Sequence, residues 1–264
     1  MKKGKVELYI NEALETKGAL LFSLIDPVDY PTPDIAVKTA KAAADGGADI
    51  LLLGGSIGAQ GEMLDYVSKN IREKIDVPVV LFPGNIATIT KNADAMYFMS
   101  LLNSRNPYWH AQAQMLAAPL IKQVGIEPLP VGYIIVAPGG TAGWVADVSL
   151  IPREKPKIAA ALALTGQYLG YRFILTDTGS NPQAQGSGPI PSVMIRAVKS
   201  AIEVPYIVGG GVRTPQELRE VYRSGADIVQ IGTAFENHGN IVYKKAVAFS
   251  KVTKEEGARK LKKQ

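Results

Sequence analysis

The chain of 264 residues carries 29 lysines and arginines against 24 aspartates and glutamates, a net charge of +5, with 47% hydrophobic residues. That ordinary globular balance comes in a length that suits one α/β barrel or two small domains. Having no cysteine, the chain has no disulfide, thiolate metal site or cysteine nucleophile, and its two histidines, His110 and His238, exclude a multi-histidine metal site.

The positive charge is uneven. Lys2, Lys3 and Lys5 crowd the start, and Lys251, Lys254, Arg259, Lys260, Lys262 and Lys263 crowd the end. Such runs read first as solvated tails and second as a transient contact with an anionic membrane surface. No aromatic-studded basic face accompanies them, which argues against nucleic acid. The start lacks the long apolar core of a signal peptide, and no apolar run reaches the ~20 residues that span a bilayer. A soluble, cytoplasmic protein is expected.

In chain order, Val6 to Thr16 has helical spacing and stops at Gly18. Ala19 to Ile25 reads as a strand halted by Asp26-Pro27, and a helix follows from Asp34 to Ala44. Ile50 to Leu53 ends on Gly54-Gly55-Ser56, before a helix from Glu62 to Glu73. Val77 to Phe82 stops at Pro83-Gly84-Asn85, and a short helix is expected before Asn92. Met96 to Met99 runs out into Ser100 to Ser104, followed by a helix from Trp109 to Val124, kinked at Pro119. Val131 to Val136 stops at Pro138-Gly139-Gly140; a loop carries Trp144 to Pro152, and a helix covers Pro156 to Leu169. Tyr171 to Leu175 exits through Thr176 to Ser180, and helix resumes from Ser192 to Ile202. Val204 to Val208 empties into Gly209-Gly210-Gly211, with Thr214 as N-cap and Pro215 opening a helix. Ile228 to Ile231 ends at Gly232-Thr233, and a last helix starts near Asn240.

Eight apolar strands, each followed by a helical segment and none broken by a linker, predict a single (β/α)₈ barrel over residues 1–264 with an extra N-terminal helix. Gly47-Ala48-Asp49-Ile50, Asn92-Ala93-Asp94-Ala95 and Gly225-Ala226-Asp227-Ile228 each introduce an even-numbered strand, as one turn reused around a ring would.

Barrel chemistry sits at the C-terminal strand ends. Thr178-Gly179-Ser180, Gly209-Gly210-Gly211 and Gly232-Thr233 belong to strands six to eight, where small residues free N–H groups to surround a phosphate, or else only make tight turns. The strand running through three glycines onto a helix start is itself an anion site by this reading. Asp26, at the end of strand one, is a general base, a hydroxyl binder or a ligand for Mg²⁺, with Ser56 a second oxygen; otherwise it only closes an Asx turn before Pro27. Asp177 either holds and deprotonates a substrate hydroxyl or caps its loop. His110 reads as a packing or capping residue and His238 as a solvated one. Tyr97, Phe98, Met99, Leu101, Leu102, Tyr108, Tyr133 and Trp144 are mostly core, with a surplus able to line a groove for a long apolar substrate.

Leu24-Ile25-Asp26-Pro27, Leu53-Gly54-Gly55-Ser56, Leu81-Phe82-Pro83-Gly84-Asn85, Phe98 to Ser104 (Phe-Met-Ser-Leu-Leu-Asn-Ser), Pro138-Gly139-Gly140-Thr141 and Val208 to Arg213 together resemble the geranylgeranylglyceryl phosphate synthase family over nearly the whole chain. The resemblance implies a prenyltransferase that joins geranylgeranyl diphosphate to the 3-hydroxyl of sn-glycerol 1-phosphate, the first ether bond of archaeal lipids. It also implies a homo-oligomer, Mg²⁺ on Asp26 and Ser56, and Asp26 and Asp177 as catalytic residues. Glycerol phosphate is then implied at Leu175, Thr176, Asp177, Thr178, Gly179, Ser180 and Asn181 with Gly209, Gly210, Gly211, Gly232 and Thr233. Many members read Tyr-Leu-Glu-Ala-Gly-Ser-Gly where this chain has Leu175 to Asn181, so Asp177 stands for a longer glutamate. The Phe98 to Ser104 wording also resembles the branch holding heptaprenylglyceryl phosphate synthases, which leaves a longer prenyl donor open. A different phosphate-binding barrel enzyme would need an acid/base pair or a strand-end lysine, and no such lysine is present; a silent phosphate binder is the remaining rival.

Overall fold

The computed structural model describes residues 2–236 and 240–263. Helix α1 (Lys5–Lys17) precedes strand β1 (Leu20–Ile25). The chain continues through α2 (Pro33–Asp45), β2 (Ile50–Gly54), α3 (Gly61–Arg72), β3 (Val79–Phe82), β4 (Ala95–Leu101), α4 (Gln112–Val124) and β5 (Glu127–Ile135). Then come α5 (Gly140–Val145), α6 (Pro156–Tyr168), β6 (Phe173–Asp177), α7 (Ser192–Ala201), β7 (Tyr206–Gly209), α8 (Pro215–Ser224), β8 (Ile228–Ile231) and α9 (Asn240–Leu261). Every neighbouring pair of strands is parallel and β8 returns to β1, so the barrel closes as expected.

The strands read as unbroken apolar runs because both faces are buried. Phe22, Leu52, Val80, Tyr97, Val131 and Leu175 fill the interior, while Leu21, Leu51, Leu53, Leu81 and Val208 pack outward under the helices. Helix α1 closes the lower end, its Val6, Ile10 and Ala13 joining the interior cluster at helical spacing. Two ties hold it there. The Glu127 carboxylate at the start of β5 accepts the N–H groups of Val6 and Glu7 at 2.8 and 2.9 Å, and buried Glu7 pairs with Arg172. A carboxylate on a helix N-terminus satisfies donors that otherwise have no partner. Glu127→Ala is therefore expected to cost about 1–2 kcal/mol, read as a lowered midpoint in urea with an unchanged slope.

The repeated turns have one physical job. Asp49, Asp94 and Asp227 each reach back to the strand before: Oδ2 accepts from Leu21 N at 2.9 Å, Val79 N at 2.9 Å and Tyr206 N at 3.0 Å. Each also pairs with a basic residue, Lys17, Arg72 and Lys199 respectively. The aspartates thus staple odd strands to even ones rather than only capping a bend.

Two local expectations differ from the structure. No helix lies between β3 and β4: Asn85 Oδ1 accepts from Ala87 N at 2.7 Å, Thr88 N–H donates to Asn85 O at 3.1 Å, and Thr90 hydrogen-bonds Asp65 of α3. A proline, a glycine and four β-branched residues in Pro83 to Thr90 favour this tethered loop. The stretch around Trp144 is not all loop, since Gly140–Val145 forms α5. Pro119 sits inside an α4 that runs on past it. Among the described residues no helix is long and apolar enough to cross a membrane.

Candidate active site

The ends of β6, β7 and β8 meet around one cavity, lined by Ser180, Asn181, Gly210, Gly211, Gly232 and Thr233 among others. Gly210 has φ +81°, and a Cβ there would collide with Thr178 Oγ1 and stand 2.7 Å from Asp177 Oδ1, so only glycine lets the two loops touch. The N–H groups of Gly211 and Val212 meet no carbonyl among the described residues. The start of α8 behaves differently from expectation. Thr214 and Glu217 form a capping box, and the Glu217 carboxylate takes the N–H groups of Arg213 at 2.8 Å and Thr214 at 2.9 Å. That helix N-terminus is already occupied by a side-chain anion, so the free donors are those of the glycine turn before it.

Across the mouth, Asp26 closes the expected Asx turn and also borders open space. Its Oδ1 accepts from Val28 N at 3.3 Å, closing the Asx turn, and the carboxyl lines a central cavity with Ser56, Phe82, Tyr133 and Asp177. Gly55 permits this: a Cβ there would collide with both Asp26 carboxylate oxygens. Burial, and then the negative charges of Asp29 and Glu236, push its pKa from the ordinary 3.8 up to about 7. No lysine or arginine pairs with it among the described residues. A carboxylate raised by burial and by neighbouring acids, in a cavity shared with a serine, is a fit for a hard cation that keeps most of its waters. An all-protein cage is absent among the described residues, where no three acids or histidines cluster for a metal.

Asp177 stands between the two cavities and lines both. It is 7% exposed. Oδ1 accepts from Gly179 N at 2.6 Å, Oδ2 from Gln230 Nε2 at 3.3 Å, and the Tyr133 hydroxyl also bonds the carboxyl. Burial raises its pKa, and these donors hold it partly down. The loop-capping reading is therefore met, by a side chain that also borders both cavities.

Other candidates fall elsewhere. Leu175 is interior core, and Thr176 faces outward, its Oγ1 2.7 Å from Tyr206 Oη. Neither reaches the cavity, because side chains alternate along β6 and only Asp177 lies at the top of the inward face. Thr178 is fully buried behind Gly210, and Gly209 sits beneath the cradle, where a Cβ would meet Asp177 and Gln230 at 2.7 Å. Asn103 stitches β4 to β5 through Ile135 and Ser149, and His110 is exposed, with Nε2 2.9 Å from Ser104 O. His238 lies outside the described residues.

Sequence reasoning passed over Gln230 and the hydroxyl of Tyr133. Gln230 had a signal, as the one polar residue in Ile228–Ile231. Where the helix after β3 is missing, an apolar groove lies between the 83–94 loop, β4 and α4, lined by Ile86, Ile89, Phe98, Trp109, Ala113 and Ala117. Pro83, Met99, Leu101 and Trp109 line both this groove and the central cavity, so the two adjoin.

A closed parallel barrel with a glycine-walled cavity on one side of its mouth, and a carboxylate across from it, places the chain among the (β/α)₈ barrels, with the layout of their phosphate-binding members. The profile of the PcrB family matches residues 13–250, and the chain belongs to that family. It is 52% identical over 241 residues to the geranylgeranylglyceryl phosphate synthase of Thermococcus sibiricus, covering 91% of this chain and 92% of that one. The enzyme of the same name from Pyrococcus abyssi is 52% identical over 241 residues, 91% and 94% of the two chains. In structure the chain is similar to (S)-3-O-geranylgeranylglyceryl phosphate synthase from Thermoplasma acidophilum in complex with its substrate sn-glycerol-1-phosphate. The TM-score is 0.88 at 32% identity, over 96% of this chain and all (100%) of that one.

Proposed function

We propose that this chain is a Mg²⁺-dependent prenyltransferase that joins geranylgeranyl diphosphate to the 3-hydroxyl of sn-glycerol 1-phosphate, releasing diphosphate. The observation that carries this reading is the placement of Asp177 on the wall shared by the glycine-walled cavity and the central cavity, which in turn adjoins the apolar groove. The acceptor's phosphate sits on the glycine turn, which aims its free hydroxyl at the central cavity. The donor's diphosphate lies toward Asp26 and Ser56, and its tail follows the groove past Phe98 and Ala117, where burial contributes roughly 0.8 kcal/mol per CH₂. In the reaction the acceptor oxygen bonds the allylic C1, the C1–O bond to diphosphate breaks with its electron pair on the leaving group, and Asp177 takes the hydroxyl proton. Mg²⁺, held by Asp26 and Ser56 with waters, would supply positive charge against the leaving diphosphate. Burial keeps the Asp177 carboxyl a better proton acceptor than an ordinary aspartate, consistent with that task.

The test is diphosphate release that requires Mg²⁺, glycerol phosphate and a prenyl diphosphate together; release without the acceptor, or none with it, would count against the reading. A longer donor, as for a heptaprenylglyceryl phosphate synthase, is the second reading, since Ala113 and Ala117 leave the groove wall low beside α4. Ala117→Phe is expected to shift the product distribution from mixed-length donors toward shorter chains, as measured by mass spectrometry of the ethers. Exposed Met115, Leu116 and Leu120 on α4 and Ile158, Tyr168 and Leu169 on or beside α6 support self-association into a homo-oligomer. The working location is cytoplasmic, with transient contact to membrane surface through the basic ends of the chain.

A further inference from the structure

Gln230 is 4% exposed, at the top of β8, and lines the cavity of the glycine cradle. Its amide is oriented by its neighbour. A carboxylate only accepts hydrogen bonds, so the group that Gln230 presents to Asp177 Oδ2 at 3.3 Å is Nε2. Oε1 is left turned away, buried, and without a donor. Buried amide oxygens are nearly always satisfied, so an orphan beside a ligand cavity points to a donor that arrives with the ligand. Gln230 and Asp177 thus border the cavity together, an amide whose oxygen lacks a donor beside a charged acceptor, opposite a wall of N–H groups. That arrangement fits a phosphorylated polyol with two adjacent hydroxyls.

We infer that Gln230 recognises the non-reacting C2 hydroxyl of the acceptor, while the same amide positions the carboxylate of Asp177 toward the reacting hydroxyl. The inference rests on the glycerol phosphate reading above and deepens it. Asp177 keeps the Gly179 N–H and the Tyr133 hydroxyl as further donors, so loss of the amide removes a substrate contact without freeing the carboxyl. Gly209 fits the same picture, since a Cβ there would press on Gln230 Nε2 at 2.7 Å and turn the amide out of place.

The experiment compares sn-glycerol 1-phosphate with 3-hydroxypropyl phosphate, which keeps the phosphate and the reacting hydroxyl but lacks the C2 hydroxyl. The native enzyme is expected to prefer glycerol phosphate in kcat/KM by on the order of tenfold or more. In Gln230→Met, of similar volume but with no hydrogen-bonding group, the preference is expected to shrink to within about threefold. An undiminished preference in the variant, or none in the native enzyme, would overturn the inference. Calorimetric titration of both acceptors into the native enzyme probes the same contact without a variant, equal affinities counting against Gln230. If the native enzyme makes no ether from either acceptor, the synthase reading fails, and that outcome is distinct from lost discrimination.

Discussion

Asp26→Asn is expected to lower turnover by on the order of 10²–10³-fold while leaving calorimetric affinity for glycerol phosphate nearly unchanged. The carboxylate lines the central cavity and not the cradle, so in the proposed reaction its charge would bear on the leaving diphosphate and the cation rather than on the acceptor. The same change should stabilise the fold. A carboxyl whose pKa is raised to about 7 in the folded chain opposes folding once it ionises. That cost is absent below about pH 4, grows between pH 4 and 7, and is complete above it. The full shift from 3.8 to about 7 corresponds to roughly 4 kcal/mol, and solvent at a half-buried group reduces it to about 1–2 kcal/mol. Asp26→Asn should therefore unfold at a higher temperature than the native enzyme at pH 8 without Mg²⁺, and at the same temperature at pH 4. Acceptor affinity falling in step with turnover would contradict the placement of Asp26, and an unchanged midpoint at pH 8 would contradict its electrostatic cost.

Gly210→Val should do the reverse. The left-handed backbone at φ +81° disfavours any β-branched residue, and the added Cβ would collide with Thr178 Oγ1 and stand 2.7 Å from Asp177 Oδ1. Both loops must part, which removes the N–H wall at Gly211 and Val212 and displaces Asp177. Glycerol phosphate affinity is expected to drop by on the order of 100-fold, two hydrogen bonds to a charged group at about 1.5 kcal/mol each. Binding of an unreactive prenyl thiodiphosphate should be retained, because the groove and Asp26 lie across the mouth. Unchanged acceptor affinity in Gly210→Val would sink the cradle assignment. Gly210→Ala, with the same Cβ and no branch, should fall between.

Much of the fold was legible in residues alone because the signals are local. Buried parallel strands read as apolar runs, Gly18 and Gly125 end helices with left-handed caps, and Thr214-Pro215 opens one. The Ala-Asp turns announced a ring, although their reach to Leu21, Val79 and Tyr206 needed the folded neighbours. The missing helix after β3 was less visible, since Ile86 to Thr90 has the hydrophobicity of a short helix and its tether, Asp65, is distant in sequence. Site residues divided in the same way. Asp26 and Asp177 end strands, and strand ends in a barrel are easily located. Thr176, one residue away, points outward, and only the alternation around the closed sheet shows it.

By itself the sequence determined a parallel barrel, the glycine turn at Gly209 to Gly211 and the two carboxylates at its mouth, because composition and spacing carry backbone geometry over short distances. Tertiary structure decided which polar groups are already spent and which are free. Glu217 closes the helix start that looked open, Gln230 of the cradle wall keeps a buried oxygen without a donor, and Asp177 is shared between two cavities. Hydrogen bonds and desolvation depend on partners that sit dozens of residues away along the chain, and only closure of the sheet brings those partners within reach.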